Sequence, residues 1–199
     1  LLQIFPDAQV IHLIRDGRAV ALSLVATPWG PADVYSASKL WAKSVSDGRA
    51  FGSTVPSSQY FELRYEELVD APDETLRAIY EFLKEPIPET PISLNRPKMP
   101  RRLTSTGLRT DEVVAGNAKA WREKISARDR GYVNAAAGSL LAELGYGTGT
   151  PCSRVTALHV LIWAVQTKWK QLRRYVREPE SLATRIQLWK SKRLKKIRG

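Results

Sequence analysis

Short apolar runs alternate with helical periodicities along the first half of this chain. Ala8-Gln9-Val10-Ile11-His12-Leu13-Ile14-Arg15 is β-branched and nearly continuous in its apolar character, and it is reached through Phe5-Pro6-Asp7. That pattern predicts a strand buried on both faces, as in a parallel sheet. Asp16-Gly17 breaks the run, Arg18 to Val25 follows as a helix, and Thr27-Pro28-Trp29-Gly30-Pro31 ends it in a loop. Tyr35 to Phe51 predicts a second helix, with Leu40, Trp41, Val45 and Phe51 facing inward. After a Pro56-Ser57-Ser58 turn, Gln59 to Tyr65 reads as another strand. Asp70-Ala71-Pro72-Asp73-Glu74 then opens a helix with acidic residues in its first turn and an apolar series at Leu76, Ile79, Tyr80 and Leu83. Strand, helix, strand, helix in this order predicts an α/β layer with a right-handed crossover between parallel strands.

The pattern changes from Glu85 to Asp111, where Pro86, Pro88, Pro91, Pro97 and Pro100 break any regular element. Lys98, Arg101, Arg102 and Arg109 make that stretch read as a functional loop rather than a plain linker. Ala118 to Ile125 and Ala127 to Leu144 predict a closing helical pair, stopped at Gly145-Tyr146-Gly147. Leu158, Ile162, Val165, Trp169, Leu172 and Val176 then recur every three or four residues as one helical stripe. Glu178-Pro179-Glu180-Ser181 interrupts it and starts a further helix carrying Leu182, Ile186, Trp189 and Leu194. The expected division is residues 1–150 as the α/β domain and 151–199 as a helical tail.

Charge sharpens that division. The net charge of +11 suggests nucleic acid until it is mapped: residues 1–151 carry 18 Lys/Arg against 18 Asp/Glu, and residues 152–199 carry 13 against 2. The whole excess lies in the tail, so its basic faces call for their own explanation. A single cysteine, Cys152, allows no internal disulfide and fits a reducing compartment. Leu1-Leu2-Gln3-Ile4-Phe5-Pro6 shows no secretory pattern, and the chain opens as though inside an element. A cytoplasmic location is expected, with sequence missing upstream. No Cys/His cluster calls for a metal.

The candidate chemistry lies at the end of the first strand. Arg15 closes it, a Gly-containing turn follows, and Ser23 stands eight residues after Arg15 in the next helix. A parallel strand feeding a helix aims that helix's free N–H groups at the carboxyl edge of the sheet. There an arginine fork matches phosphate oxygens, and a serine one or two turns along adds a hydroxyl donor. Each residue alone reads equally as a surface charge or a solvated hydroxyl.

The next motif shifts the balance. Arg64-Tyr65-Glu66-Glu67-Leu68 closes the second strand and leads into Pro72-Asp73-Glu74-Thr75-Leu76-Arg77 and Phe82-Leu83. Together with Val10 to Ser23, and with Trp121-Arg122 and Leu140 to Tyr146 further on, this order resembles the sulfotransferases that use 3′-phosphoadenosine 5′-phosphosulfate. The resemblance covers roughly residues 4–147. It implies a partial P-loop-like parallel sheet flanked by helices, followed by the basic helical extension. It also implies that Arg15 and Ser23 hold the 3′-phosphate of the donor, that Tyr65 lies by the purine, and that Ser105, with Arg101 or Arg102, closes over the same phosphate. His12 lies where the family tolerates a histidine without catalytic use. Trp41 reads as core and His159 as structural.

Two departures from the family pattern stand out. No Gly-x-x-x-x-Gly-Lys-[Ser/Thr] or similar loop for the 5′-phosphosulfate occurs in these 199 residues, and Asp16-Gly17 replaces the frequent Asp-Pro. The catalytic residues are therefore expected upstream of Leu1, and this chain alone is expected to transfer no sulfate. The acceptor implied is a hydroxyl or amine on a small molecule, carbohydrate, lipid or protein. Two rival readings remain: a related P-loop-like kinase, and a non-catalytic basic protein binding nucleic acid or membrane. The tail fits a peripheral contact with an anionic membrane, while its uncharged stretch, Val155 to Thr167, is shorter than the ~20 residues a spanning helix needs. Nucleic acid is the less favoured partner.

Overall fold

A computed structural model describes residues 2–87, 120–147 and 151–177, with side chains as far as Arg173 in the last segment. Ser105, the basic residues of the Pro-rich loop and the second tail helix lie outside the described residues.

Strand β1 (Val10–Ile14) leads through Asp16 into α1 (Gly17–Ala26) and then α2 (Val34–Gly52). Strand β2 (Tyr60–Arg64) runs parallel to β1 in the register Val10 to Tyr60 through Ile14 to Arg64. It passes directly into α3 (Tyr65–Asp70) and α4 (Pro72–Leu83). After the Pro-rich stretch come the short α5 (Trp121–Lys124), α6 (Ala127–Glu143) and α7 (Ala157–Arg177). The α/β class and the parallel pair expected from the pattern are both present.

Side-chain type explains where the core sits. Ile14, Ala19, Val34, Trp41 and Val45 meet Trp121, Ile125, Tyr132, Val133, Leu140, Leu141 and Leu144 in one buried cluster between α1, α2 and α6. Small residues let the elements approach: a Cβ on Gly17 would lie 2.6 Å from the Trp41 ring, so only glycine fits beneath the indole. Trp41 is core, as expected, and its indole N–H donates to the Arg15 carbonyl at 3.1 Å. Leu40, one residue away on the helix, is exposed instead.

The sheet is covered unevenly. His12 and Ile14 face α2 and the core, whereas Ile11 and Leu13, on the other side of the pleat, are 40% and 48% exposed. Burial on both faces of β1, expected from its apolar run, is not met among the described residues. On that second side only β2 is covered, by Phe61 stacking on Phe82 of α4 at 5.2 Å.

Candidate functional site

The parallel register builds the site. Ile14 lies beside Arg64, so the next residues of the two strands, Arg15 and Tyr65, leave the sheet side by side at the same carboxyl edge. The Arg15 guanidinium carbon sits 4.4 Å from the centre of the Tyr65 ring, within range of a cation–π attraction. One residue further, the Asp16 N–H donates to Glu66 at 3.1 Å. Two motifs about fifty residues apart in sequence thus meet rung by rung.

Tyr65 begins a helix rather than ending a strand. The Arg64 N–H donates to the Glu67 carboxylate at 3.3 Å, so the acidic residue three positions on turns the chain at once. This places the phenol ring of Tyr65 at the rim instead of within the sheet.

Asp16 holds the other half of the corner. It is buried and accepts from the Arg18 N–H at 2.9 Å, capping α1, while the Arg18 guanidinium grips both its oxygens at 2.9 and 2.8 Å. Such a bidentate pair is strong and directional. Arg18 also donates to the carbonyls of Tyr146 at 2.7 Å and Gly147 at 3.0 Å, and stacks over Trp121 at 4.4 Å. Glu66 accepts the Tyr146 hydroxyl at 2.9 Å with its second oxygen. Burial first, and the Glu66 carboxylate second, hold the Tyr146 phenol well above its ordinary pKa, so it stays a donor. Gly145 and Gly147, at φ of 74° and 62°, let the chain turn through this contact. One donor of the α1 N-terminus is therefore already committed to Asp16.

Of the four residues expected to bind the donor, Arg15 and Tyr65 are brought together. Ser23 is exposed on α1, about 9 Å along the axis from Gly17 at 1.5 Å per residue. It does not join the Arg15–Tyr65 contact. Ser105 lies outside the described residues. Sequence reasoning does not single out the supporting shell of Asp16, Arg18, Glu66, Trp121 and Tyr146 for binding. The one signal available for these residues is that each falls inside a stretch that already stands out.

His12 belongs to a separate network. Tyr60 donates to Glu62 at 3.0 Å, so the His12 Nδ1 must carry the proton it shares with the Tyr60 oxygen at 2.5 Å. Arg49 completes the group, bridging Glu62 at 3.4 Å and Glu143. This network ties α2, β2 and α6 and leaves the histidine in a structural role. An open cavity of about 620 Å³ adjoins the corner along β2, α3 and α4, sharing Glu66 and Tyr146 with it and Glu62 with the His12 network. Glu62, Glu66, Glu67, Asp70 and Glu74 outweigh Arg64 along its wall, which suits no phosphate.

Comparison with known proteins adds three findings. Residues 1–89 match the sulfotransferase family. The fold is similar to that of the sulfotransferase domain from the curacin biosynthetic pathway, with a TM-score of 0.50 at 21% identity. The match covers 67% of this chain but 53% of that domain, so the chain spans about half of its structural relative. No curated protein sequence matches the chain.

Proposed function

From the match of residues 1–89 to the sulfotransferase family, we propose that this chain holds the nucleotide end of the donor in an enzyme transferring a sulfonate group to a hydroxyl or amine. The donor in this reading is 3′-phosphoadenosine 5′-phosphosulfate. Arg15 would meet the 3′-phosphate, Tyr65 would lie against the purine, and Ser23 and Ser105 would add hydroxyl donors. The observation that carries the reading is the Arg15–Tyr65 contact at the carboxyl edge of two paired parallel strands. The rigid planar fork of a guanidinium can pair two of its N–H groups with two oxygens of a tetrahedral phosphate. A phosphate remote from the sulfur contributes binding that fixes the donor in register, which is how remote groups serve a transfer reaction. The sulfonate itself comes from the donor; Arg15 and Tyr65 bind and orient.

Calorimetric titration with 3′,5′-adenosine bisphosphate tests the assignment. Arg15→Ala should weaken binding by about ten- to a hundredfold, the size of a lost hydrogen bond to a charged group. Adenosine 5′-monophosphate, without the 3′-phosphate, should bind both proteins alike. Equal loss for both nucleotides would move Arg15 away from the phosphate, and no uptake of the bisphosphate by the parent chain would end the reading.

A further inference from the structure

Among the described residues, the contacts of helix α7 with the body come from one side. His159, Trp163, Thr167 and Lys170 recur at helical spacing and face the body of the protein. Trp163 packs edge-on against Tyr132 at 5.1 Å and at a tilt against Tyr35 at 5.5 Å, with His159 stacked beside it at 5.4 Å. Thr167 accepts the Ala32 N–H at 3.0 Å, and the Lys170 ammonium donates to the carbonyls of Val25 and Pro31 at 2.7 and 3.0 Å. These contacts fix the rotation of the helix about its own axis.

That rotation puts the apolar stripe outside. Leu158, Leu161, Ile162, Val165, Trp169 and Leu172 are each between 44% and 64% exposed. At 3.6 residues per turn, Lys168 falls on one flank of this stripe and Arg173 on the other. The helix contains no Asp or Glu. Around it, residues 152–199 carry 13 Lys/Arg against 2 Asp/Glu.

We propose that the outer face of α7 seats this protein on the surface of a bilayer containing anionic lipid. A pinned helix with an apolar arc bordered by cations has the form of an interfacial helix, its hydrocarbon entering the acyl boundary and its cations staying at the headgroups. Lys168 and Arg173 have stems long enough to reach upward to phosphates while Leu161 and Val165 point down. Trp169 belongs at such a boundary, with an apolar ring and one N–H donor. No described helix is long and apolar enough to cross a membrane, so α7 would lie in the surface plane. Charge favours lipid over a second copy of the chain. Two such faces in contact would bring together two segments each bearing an excess of eleven positive charges, 13 less 2, whereas an anionic surface attracts both.

Flotation of the full chain with vesicles tests this. Binding should be strong to phosphatidylcholine vesicles with about 30% phosphatidylserine and weaker by about tenfold or more on phosphatidylcholine alone. The triple variant Leu161→Ser, Val165→Ser, Trp169→Ser keeps the charge, and it should lose about tenfold or more of the anionic binding. Because these positions are exposed, its circular dichroism should match the parent; the single variant Trp169→Ser gives a smaller loss in the same direction if it does not. Three outcomes overturn the proposal. The parent chain fails to float with anionic vesicles. The triple variant floats as well as the parent, which assigns the binding to diffuse charge alone. The parent sediments as a dimer that the triple variant abolishes without change in flotation, which makes the face a contact between copies.

Discussion

The corner around Arg15 and the outer face of α7 invert the usual partition in opposite senses. At the corner, charged side chains are inside: Asp16 and Arg18 have side chains only 6% and 11% exposed. Along α7, large aliphatic and aromatic side chains are outside. Buried charge and exposed hydrocarbon are the informative departures in a fold, because the reverse arrangement is the default. The difference between the two regions lies in how each departure is resolved. The corner resolves it internally: Asp16 and Arg18 pair with each other, and Glu66, Tyr146 and Gly147 join them from distant parts of the chain. Helix α7 leaves its departure open on the solvent side and, among the described residues, is secured from behind.

Breaking the internal resolution should have the largest effect. Asp16→Ala leaves the Arg18 guanidinium buried without its carboxylate and removes the cap of α1. Removing one partner of a buried pair costs about 3–5 kcal/mol, and urea unfolding of the variant should show a loss in that range. Asp16→Asn, which keeps the cap but not the charge, should recover part of it. A loss below about 1 kcal/mol would mean that the Tyr146 and Gly147 carbonyls alone satisfy Arg18, and that its ion pair with Asp16 adds little.

The same comparison separates what the sequence carries from what it cannot. Both strands were legible as short β-branched or aromatic runs bounded by turns, α1 from the Asp16-Gly17 break before it, and α2, α4 and α7 from apolar positions at helical spacing. Helix α3 was not, because Tyr65 to Val69 is as compatible with a strand end as with a helix until Glu67 is seen to fold back on the Arg64 N–H. Periodicity also names a face without naming its cover. The stripe on α7 is one face, as its spacing predicts, yet it points to solvent, and the grip comes from His159, Trp163, Thr167 and Lys170 between its members. In the site, Arg15 and Tyr65 could be picked from their motifs. The links from Asp16 to Glu66, Glu66 to Tyr146 and Arg18 to Tyr146 span 50, 80 and 128 residues, and nothing local encodes a contact at such range.

The two sides of α7 offer a sharper and smaller contrast. Trp163 and Trp169 are the same residue type on the same helix, one packed against Tyr35 and Tyr132, the other 60% exposed. Trp163→Ala should cost about 2 kcal/mol, below the range for a fully buried indole because this one is only partly covered. Trp169→Ser should stay within about 0.5 kcal/mol, as surface changes do. The measurement is the shift in urea midpoint at constant slope. A large cost at Trp169 would show that the outer face is already covered within the free protein, which would remove the surface on which membrane seating depends.

The smallest effect expected is a titration, and it belongs to the polar regions alone. Burial, followed by the Glu62 carboxylate, pushes the Tyr60 phenol up to about 12 from 10.0, and Tyr146 is raised in the same sense by burial and Glu66. A folded-state pKa above the unfolded one means that the native protein holds its proton more tightly. The resulting stabilisation is complete below pH 10 and drains away as pH rises from there, for Tyr60 through about 12. Urea midpoints should therefore fall between pH 9.5 and 11.5, a span chosen to bracket the onset at about pH 10. Lysines titrate in the same interval, so Tyr60→Phe is the control that isolates the phenol: it loses the bonds to Glu62 and His12 at neutral pH but should decline less steeply above pH 10. Parallel curves for the parent and the variant would mean that the Tyr60 hydroxyl is no better held in the folded chain than in the unfolded one, and that the network under the sheet is looser than its distances suggest.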